Sequence, residues 1–185
     1  MKRTFDLVGA ACGLLILWPV ILVLVLVIRR QSHGPGIFSQ ERIGRGGRVF
    51  VCHKLRTMHQ GAPNVPTHMA SAAQVTPLGS LLRKTKLDEL PQLWNVLRGE
   101  MSFVGPRPCL PSQATLIEER QKRGIFTIRP GITGLAQINS IDMSDPVKLA
   151  KVDAEYVRTR SFVLDMEILF KTVFGRAGSG DLIRG

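Results

Sequence analysis

Residues 7–28 read LVGAACGLLILWPVILVLVLVI, 22 positions without a charged side chain. At about 1.5 Å per residue, such a helix covers the roughly 30 Å hydrocarbon core of a bilayer, so the run predicts a membrane segment. A cleaved secretory leader has a shorter apolar core and a small-residue cleavage site; here Arg29-Arg30 follow at once. Basic pairs flank both ends, Lys2-Arg3 and Arg29-Arg30, and it is cytoplasmic flanks that are enriched in Lys and Arg. Trp18-Pro19 stands near the centre of the run. Proline has no N–H for the carbonyl four residues back, and its ring clashes there. Length alone permits a straight span. The symmetric charges and Pro19 together predict a re-entrant helix–break–helix over residues 1–33, entering and leaving by one leaflet.

Beyond this run the chain is rich in Arg, Lys, Gly and Pro. Its 25 basic against 14 acidic residues give a formal charge of +11, which suits an anionic partner: lipid headgroups, a phosphorylated substrate or nucleic acid. With one Tyr and two Trp, platforms for base stacking are scarce, and no nucleic-acid partner is expected. Cys12, Cys52 and Cys109 are odd in number and widely spaced, so no disulfide framework is expected. The four histidines lack zinc-site spacing. At 185 residues the chain accommodates one compact domain plus an attachment.

Within that domain, residues 34–58 read as two short strands around a Gly-rich turn at Gly44 to Gly47. Residues 60–77, with three prolines and no periodicity, read as a loop. Helices are predicted over 78–84, from about Asp88 to Arg98 (Leu90, Leu93, Trp94 and Leu97 at helical spacing, Gly99 as the stop), and over 112–123 and 146–159. Residues 162–174, apolar on most faces, form either a core helix or one lying in the bilayer interface. The tail 176–185 reads as flexible. No second run of membrane length follows, so a polytopic enzyme is not expected.

The chemistry concentrates in residues 81–108, LLRKTKLDELPQLWNVLRGEMSFVGPRP. Asp88 and Glu89 are adjacent carboxylates preceded by Arg83, Lys84 and Lys86. One reading makes Asp88 a helix N-cap, since acids are favoured in a first turn. The other makes it a nucleophile: a carboxylate is ionised at neutral pH and attacks phosphorus without a general base. Attack on a diphosphate brings like charges together, at about 4 kcal/mol per pair at 4 Å and an effective dielectric of 20. Arg83, Arg107 in Gly-Pro-Arg-Pro, and Lys54 and Arg56 in His-Lys-Leu-Arg supply the opposing charge. A membrane-tethered scaffold also explains the apolar run and the basic surface, but gives no reason for Asp88-Glu89 among so many cations.

The sequence resembles the monotopic phosphoglycosyl transferases, the bacterial sugar transferase family, in their small form carrying only the catalytic domain. The likeness rests on the apolar segment with its central proline, on Gly36-Ile-Phe-Ser-Gln-Glu-Arg-Ile-Gly44 with Phe50 to Met58, and above all on residues 87–108. It continues through Arg129-Pro-Gly-Ile-Thr-Gly-Leu-Ala-Gln-Ile-Asn139, Asp153, Tyr156 and Ser161 to Asp165. The resemblance implies an α+β fold, mostly α-helical with a small β-hairpin, an N-terminal re-entrant membrane helix over 1–33 and amphipathic interfacial helices. The catalytic domain would occupy 34–175 at the cytoplasmic face of the bacterial inner membrane, in contact with its lipid. It implies that Asp88 attacks a UDP-sugar and releases UMP, and that a polyprenyl phosphate then accepts the phosphosugar. Mg²⁺ would neutralise the diphosphate, with Asp88 as its ligand. Glu89 would position the acceptor phosphate or the metal; Lys54, Arg83 and Arg107 match positions near the site, and Asp153 would shape the pocket. Members of the family often carry serine before the helix-breaking proline, where this chain has Trp18.

Overall fold

The apolar run lies within a 30-residue helix, α1 (Lys2–Gln31), in the computed structural model of the protein, which describes residues 1–62 and 71–174. Helix α1 continues through Pro19, so the expected division of 1–33 into helix, break and helix is absent as two separate elements. Pro19 forfeits one bond, to the Leu15 carbonyl, and intact turns on either side carry the helix across. Only 6% of its most apolar window is buried, which sets α1 apart from the core helix of a soluble protein.

One stripe of α1 packs on the domain along nearly its whole length. Ala10, Leu14 and Leu17 meet Leu93, Val96, Met101 and Phe103; Ile21, Leu24, Val25 and Ile28 meet Leu55, Leu78, Leu82 and Leu87. These positions recur every three or four residues, as one helix face must. Gly9 and Gly13 lie on that face and permit the approach: a Cβ on Gly9 would sit 2.8 Å from the Phe103 ring. Leu15, Ile16, Trp18, Leu22 and Val23 remain exposed.

The domain begins with the expected hairpin, β1 (Ile37–Ile43) antiparallel to β2 (Val49–Leu55), turning through Gly46 and Gly47 at positive φ. Next, α2 (Pro77–Thr85) is capped by Thr76, whose Oγ1 accepts from the Gly79 N–H at 2.9 Å. A Cβ on Gly79 would lie 2.0 Å from the Thr57 carbonyl oxygen, so α2 packs backbone against backbone just past the end of β2. Helix α3 is Gln92–Arg98, shorter than the expected 88–98. Leu87–Glu89 form a separate 3₁₀ turn instead, because Pro91 has no N–H with which to reach the Leu87 carbonyl.

Two three-residue strands, β3 (Ser102–Val104) and β4 (Gly131–Thr133), pair in parallel behind this region. They had no counterpart among the sequence expectations, nor did the one-turn α5 (Leu135–Ile138). Helices α4 (Ala114–Lys122), α6 (Pro146–Thr159) and α7 (Phe162–Phe174) fall where periodicity put them. α4 and α6 close a core of Leu116, Ile125, Leu149 and Ala150. α7 buries Asp165 and Ile168 and turns Phe162, Val163, Phe170, Val173 and Phe174 outward. The architecture is α+β, mainly helical. The tail expected to be flexible and residues 63–70 of the expected loop lie outside the described residues.

Candidate active site

Lys86 ends α2 in the left-handed conformation (φ 57°), which turns the chain abruptly into the 3₁₀ turn. That turn packs on β2 and carries Asp88 and Glu89 inward, 1% and 8% exposed. The first-turn N-cap alternative therefore does not describe Asp88: no α-helix starts at this residue, and α3 begins at Gln92.

Arg107 faces the dyad. Its Nη1 donates to Glu89 Oε1 at 3.0 Å, with both side chains largely buried. The segment 105–108 that carries it is clamped onto β4, since Gly105 N–H bonds Thr133 O and Gly131 N–H bonds Pro106 O. Glycine is required on both sides of this crossing: a Cβ on Gly131 would fall 2.1 Å from the Gly105 nitrogen.

Beside the dyad opens a cleft lined by Gln40, Arg42, Cys52, Lys54, Gln92 and Arg107, among others. Three of these side chains are cationic, so the cleft attracts polyanions. Burial pushes the Cys52 thiol above its ordinary range despite the nearby Arg42, Lys54 and Arg107, so the thiol is neutral. Arg83, 5% exposed, lies on α2 and donates through Nε to Thr57 Oγ1 at 2.9 Å.

Asp88 and Glu89 on their turn, Arg107 on Glu89 and Lys54 on the adjoining cleft are thus brought into one region. Two other candidates are not. Asp153 does not line the cleft; it is buried between α4 and α6, where Arg120 donates to its Oδ2 through Nη2 at 2.7 Å. Burial pushes its carboxyl above the usual range, and Arg120 pulls against that shift. Arg56 points to the C-terminus of α1, donating to Ser32 O and His33 O at 2.8 and 2.6 Å; it satisfies carbonyls that a helix end leaves open. Conversely, Gln40, Arg42 and Gln92 went unremarked in the sequence. Strand alternation held the signal for two of them, because Gln40 and Arg42 share the face that Cys52 and Lys54 occupy across the hairpin.

The sequence profile of the family described as bacterial sugar transferase matches residues 1–177. A UDP-glucose:undecaprenyl-phosphate glucose-1-phosphate transferase of Caulobacter vibrioides is 39% identical over 93% of this chain and 68% of its own length. The uncharacterized sugar transferase EpsL of Bacillus subtilis is 40% identical over 94% of this chain and 85% of its own. A UDP-galactose-lipid carrier transferase of Erwinia amylovora is 38% identical over 94% of this chain, which spans only 39% of that relative. The match takes in the apolar helix, the buried carboxylate turn and the proline-flanked arginine together, and the chain belongs to the bacterial sugar transferase family.

Proposed function

We propose that this chain moves a sugar-1-phosphate from a UDP-sugar to a polyprenyl phosphate through a covalent aspartyl intermediate. The observation that carries the proposal is the Asp88-Glu89 turn, with Arg107 on Glu89, set beside a cleft that also holds Lys54 and Arg42. The names of relatives that act on UDP-glucose or UDP-galactose and a lipid carrier agree with it.

The ionised Asp88 carboxylate attacks the sugar-bearing phosphorus. The bond from that phosphorus to the bridging oxygen breaks, and UMP leaves with the electron pair. A phosphate oxygen of the polyprenyl phosphate then attacks the same phosphorus and expels Asp88 as carboxylate, leaving a polyprenyl-diphosphate-sugar. Arg107, Lys54 and Arg83 offset the repulsion between carboxylate and diphosphate, and Glu89 positions both Arg107 and the acceptor phosphate. Because Asp88 is only 1% exposed, the donor reaches it after the side chains over it move aside. Two carboxylates on one turn fit Mg²⁺ shared with a substrate diphosphate, an ion that keeps few protein ligands. Asp88 would hold it, where it supplies positive charge against the diphosphate. Among the described residues no group of three or more His, Cys, Asp or Glu forms a closed metal cage.

The same reading sets the protein on one membrane face, the cytoplasmic face of the bacterial inner membrane. Its support is that both ends of α1 are tied to one domain. Lys2 Nζ donates to Asp165 Oδ2 at 2.6 Å and Arg3 Nη1 to Val96 O at 2.8 Å, while Arg56 holds the other end. A straight crossing would carry one end of this helix, roughly 45 Å long, to the far side and break one set of these bonds. A panel of UDP-sugars incubated with polyprenyl phosphate and Mg²⁺ tests the activity: UMP release with at least one donor is expected, and none with any donor overturns the proposal.

A further inference from the structure

Arg120 and Asp153 form an ion pair whose side chains are 2% and 3% exposed. Burying two charges costs several kcal/mol per ion, and apolar pairs of similar volume often hold helices together as well or better. Joining α4 to α6 therefore does not require this pair. What an apolar pair cannot supply is a donor, and Arg120 has one to spare. With Nε and Nη2 both on Asp153 Oδ2, its Nη1 donates to the Arg107 carbonyl at 2.8 Å.

That carbonyl belongs to the proline-flanked segment that carries Arg107. Pro106 and Pro108 have no N–H, so the backbone around Arg107 is held chiefly through its oxygens. Four successive carbonyls each accept a bond, from β4, α4 and, twice, β1. Pro106 O accepts from Gly131 N–H at 3.0 Å, Arg107 O from Arg120, Pro108 O from Arg42 Nη1 at 3.1 Å, and Cys109 O from Ile43 N–H at 2.9 Å. The bond to the carbonyl of Arg107 itself comes from Arg120.

We infer that Arg120, oriented by Asp153, is a positioning residue that fixes the Arg107 backbone so that the Arg107 guanidinium meets Glu89 and any phosphate in the cleft. The inference rests on the phosphate-binding part of the function proposed above. Arg120 touches no reacting atom; it acts through Arg107.

The test is a thermodynamic cycle read as UDP affinity in the presence of Mg²⁺, on the intact protein in detergent. Arg120→Lys keeps the charge opposite Asp153, but its donors share one nitrogen and cannot span Asp153 and the Arg107 carbonyl together. It is expected to weaken UDP binding at least fivefold in the parent protein and less than twofold in an Arg107→Ala background. Equal losses in both backgrounds, or no loss in either, would overturn the inference. A second variant guards against misfolding: Arg120→Met with Asp153→Leu replaces the pair by apolar side chains. It should melt close to the parent while losing as much UDP affinity as Arg120→Lys, and parent-like affinity in it would equally overturn the inference. UMP release is scored separately, so a protein that binds UDP without turning over UDP-sugars contradicts the proposed reaction while the cycle still decides the role of Arg120. A parent protein that does not bind UDP at all contradicts both.

Discussion

Arg107 Nη1 meets Glu89 Oε1 at 3.0 Å, a contact that ties the proline-flanked segment 105–108 to the turn carrying Asp88. A guanidinium offers two parallel donors to a phosphate, whereas an ammonium offers a point charge. Arg107→Lys is therefore expected to lower kcat/KM about tenfold or more, a loss on the order of 1.4 kcal/mol. Arg123→Lys is the control, because Arg123 donates to Glu119 at the end of α4, outside the cleft. It should change kcat/KM less than twofold. Equal kinetics for the two variants would show that charge alone matters at Arg107.

The two ends of α1 give a prediction about topology. Thr4 and Gln31 are exposed positions close to the contacts of Lys2 and Arg56, and cysteines there leave those contacts intact. In a background with Cys12, Cys52 and Cys109 replaced, Thr4→Cys and Gln31→Cys should both resist an impermeant maleimide in intact spheroplasts. Both should react once the membrane is opened. Labelling of position 4 alone in intact cells would mean a straight crossing.

Gly79 tests how the turn is held. Its missing Cβ leaves room for the Thr57 carbonyl, so Gly79→Ala must lift α2 away from the end of β2. Overpacking of this kind costs about 1–3 kcal/mol, and α2 leads directly into the Asp88 turn. Lower thermal stability together with a loss of UMP formation is expected; an unchanged melting temperature would show that the helix is free to shift.

A fourth prediction concerns alkaline pH. Burial, reinforced by the hydrogen bond that Tyr156 donates to Asp165 Oδ1 at 2.7 Å, pushes the Tyr156 phenol far above its usual range. Above pH ~10 the unfolded chain loses this proton while the folded chain keeps it. The stabilisation present below that pH is then lost as pH rises, at up to about 1.4 kcal/mol per pH unit. Cys52 and Cys109, also raised by burial, contribute in the same sense at somewhat lower pH. Tyr156→Phe should show a shallower fall in stability above pH 10 than the parent, measured by denaturant unfolding in detergent. Parallel curves would place the tyrosine outside the buried network.

The hairpin, the later helices and the carboxylate turn were legible because each rests on local rules: alternation around glycines, helical spacing, and a cluster of charges near a proline. Helix α1 was legible as an apolar helical run, but neither in its continuity through Pro19 nor in its orientation. Apolar residues surround it on all sides, and only Gly9 and Gly13 distinguish the face that meets Phe103 and Leu93. β3 and β4 are three residues each and exist by pairing across the sequence, which periodicity cannot register. The start of α3 was misplaced because Pro91 reads equally well inside a first helical turn or just before one. Asp153 was drawn toward the cleft by the resemblance, and Arg56 by its charge. Their partners, Arg120 and the end of α1, become neighbours only in the folded chain.

The central claim is that Asp88 becomes covalently bound to the phosphosugar, and its most direct test omits the acceptor. The purified protein is incubated with its UDP-sugar and Mg²⁺, quenched in acid, and its intact mass and peptides are measured. The expected result is a mass gain of one sugar phosphate, mapped to the peptide containing Asp88, matched by UMP and absent in a folded, membrane-bound Asp88→Asn variant. Continued UMP formation by Asp88→Asn with the acceptor present, or an adduct on another residue, would contradict the account.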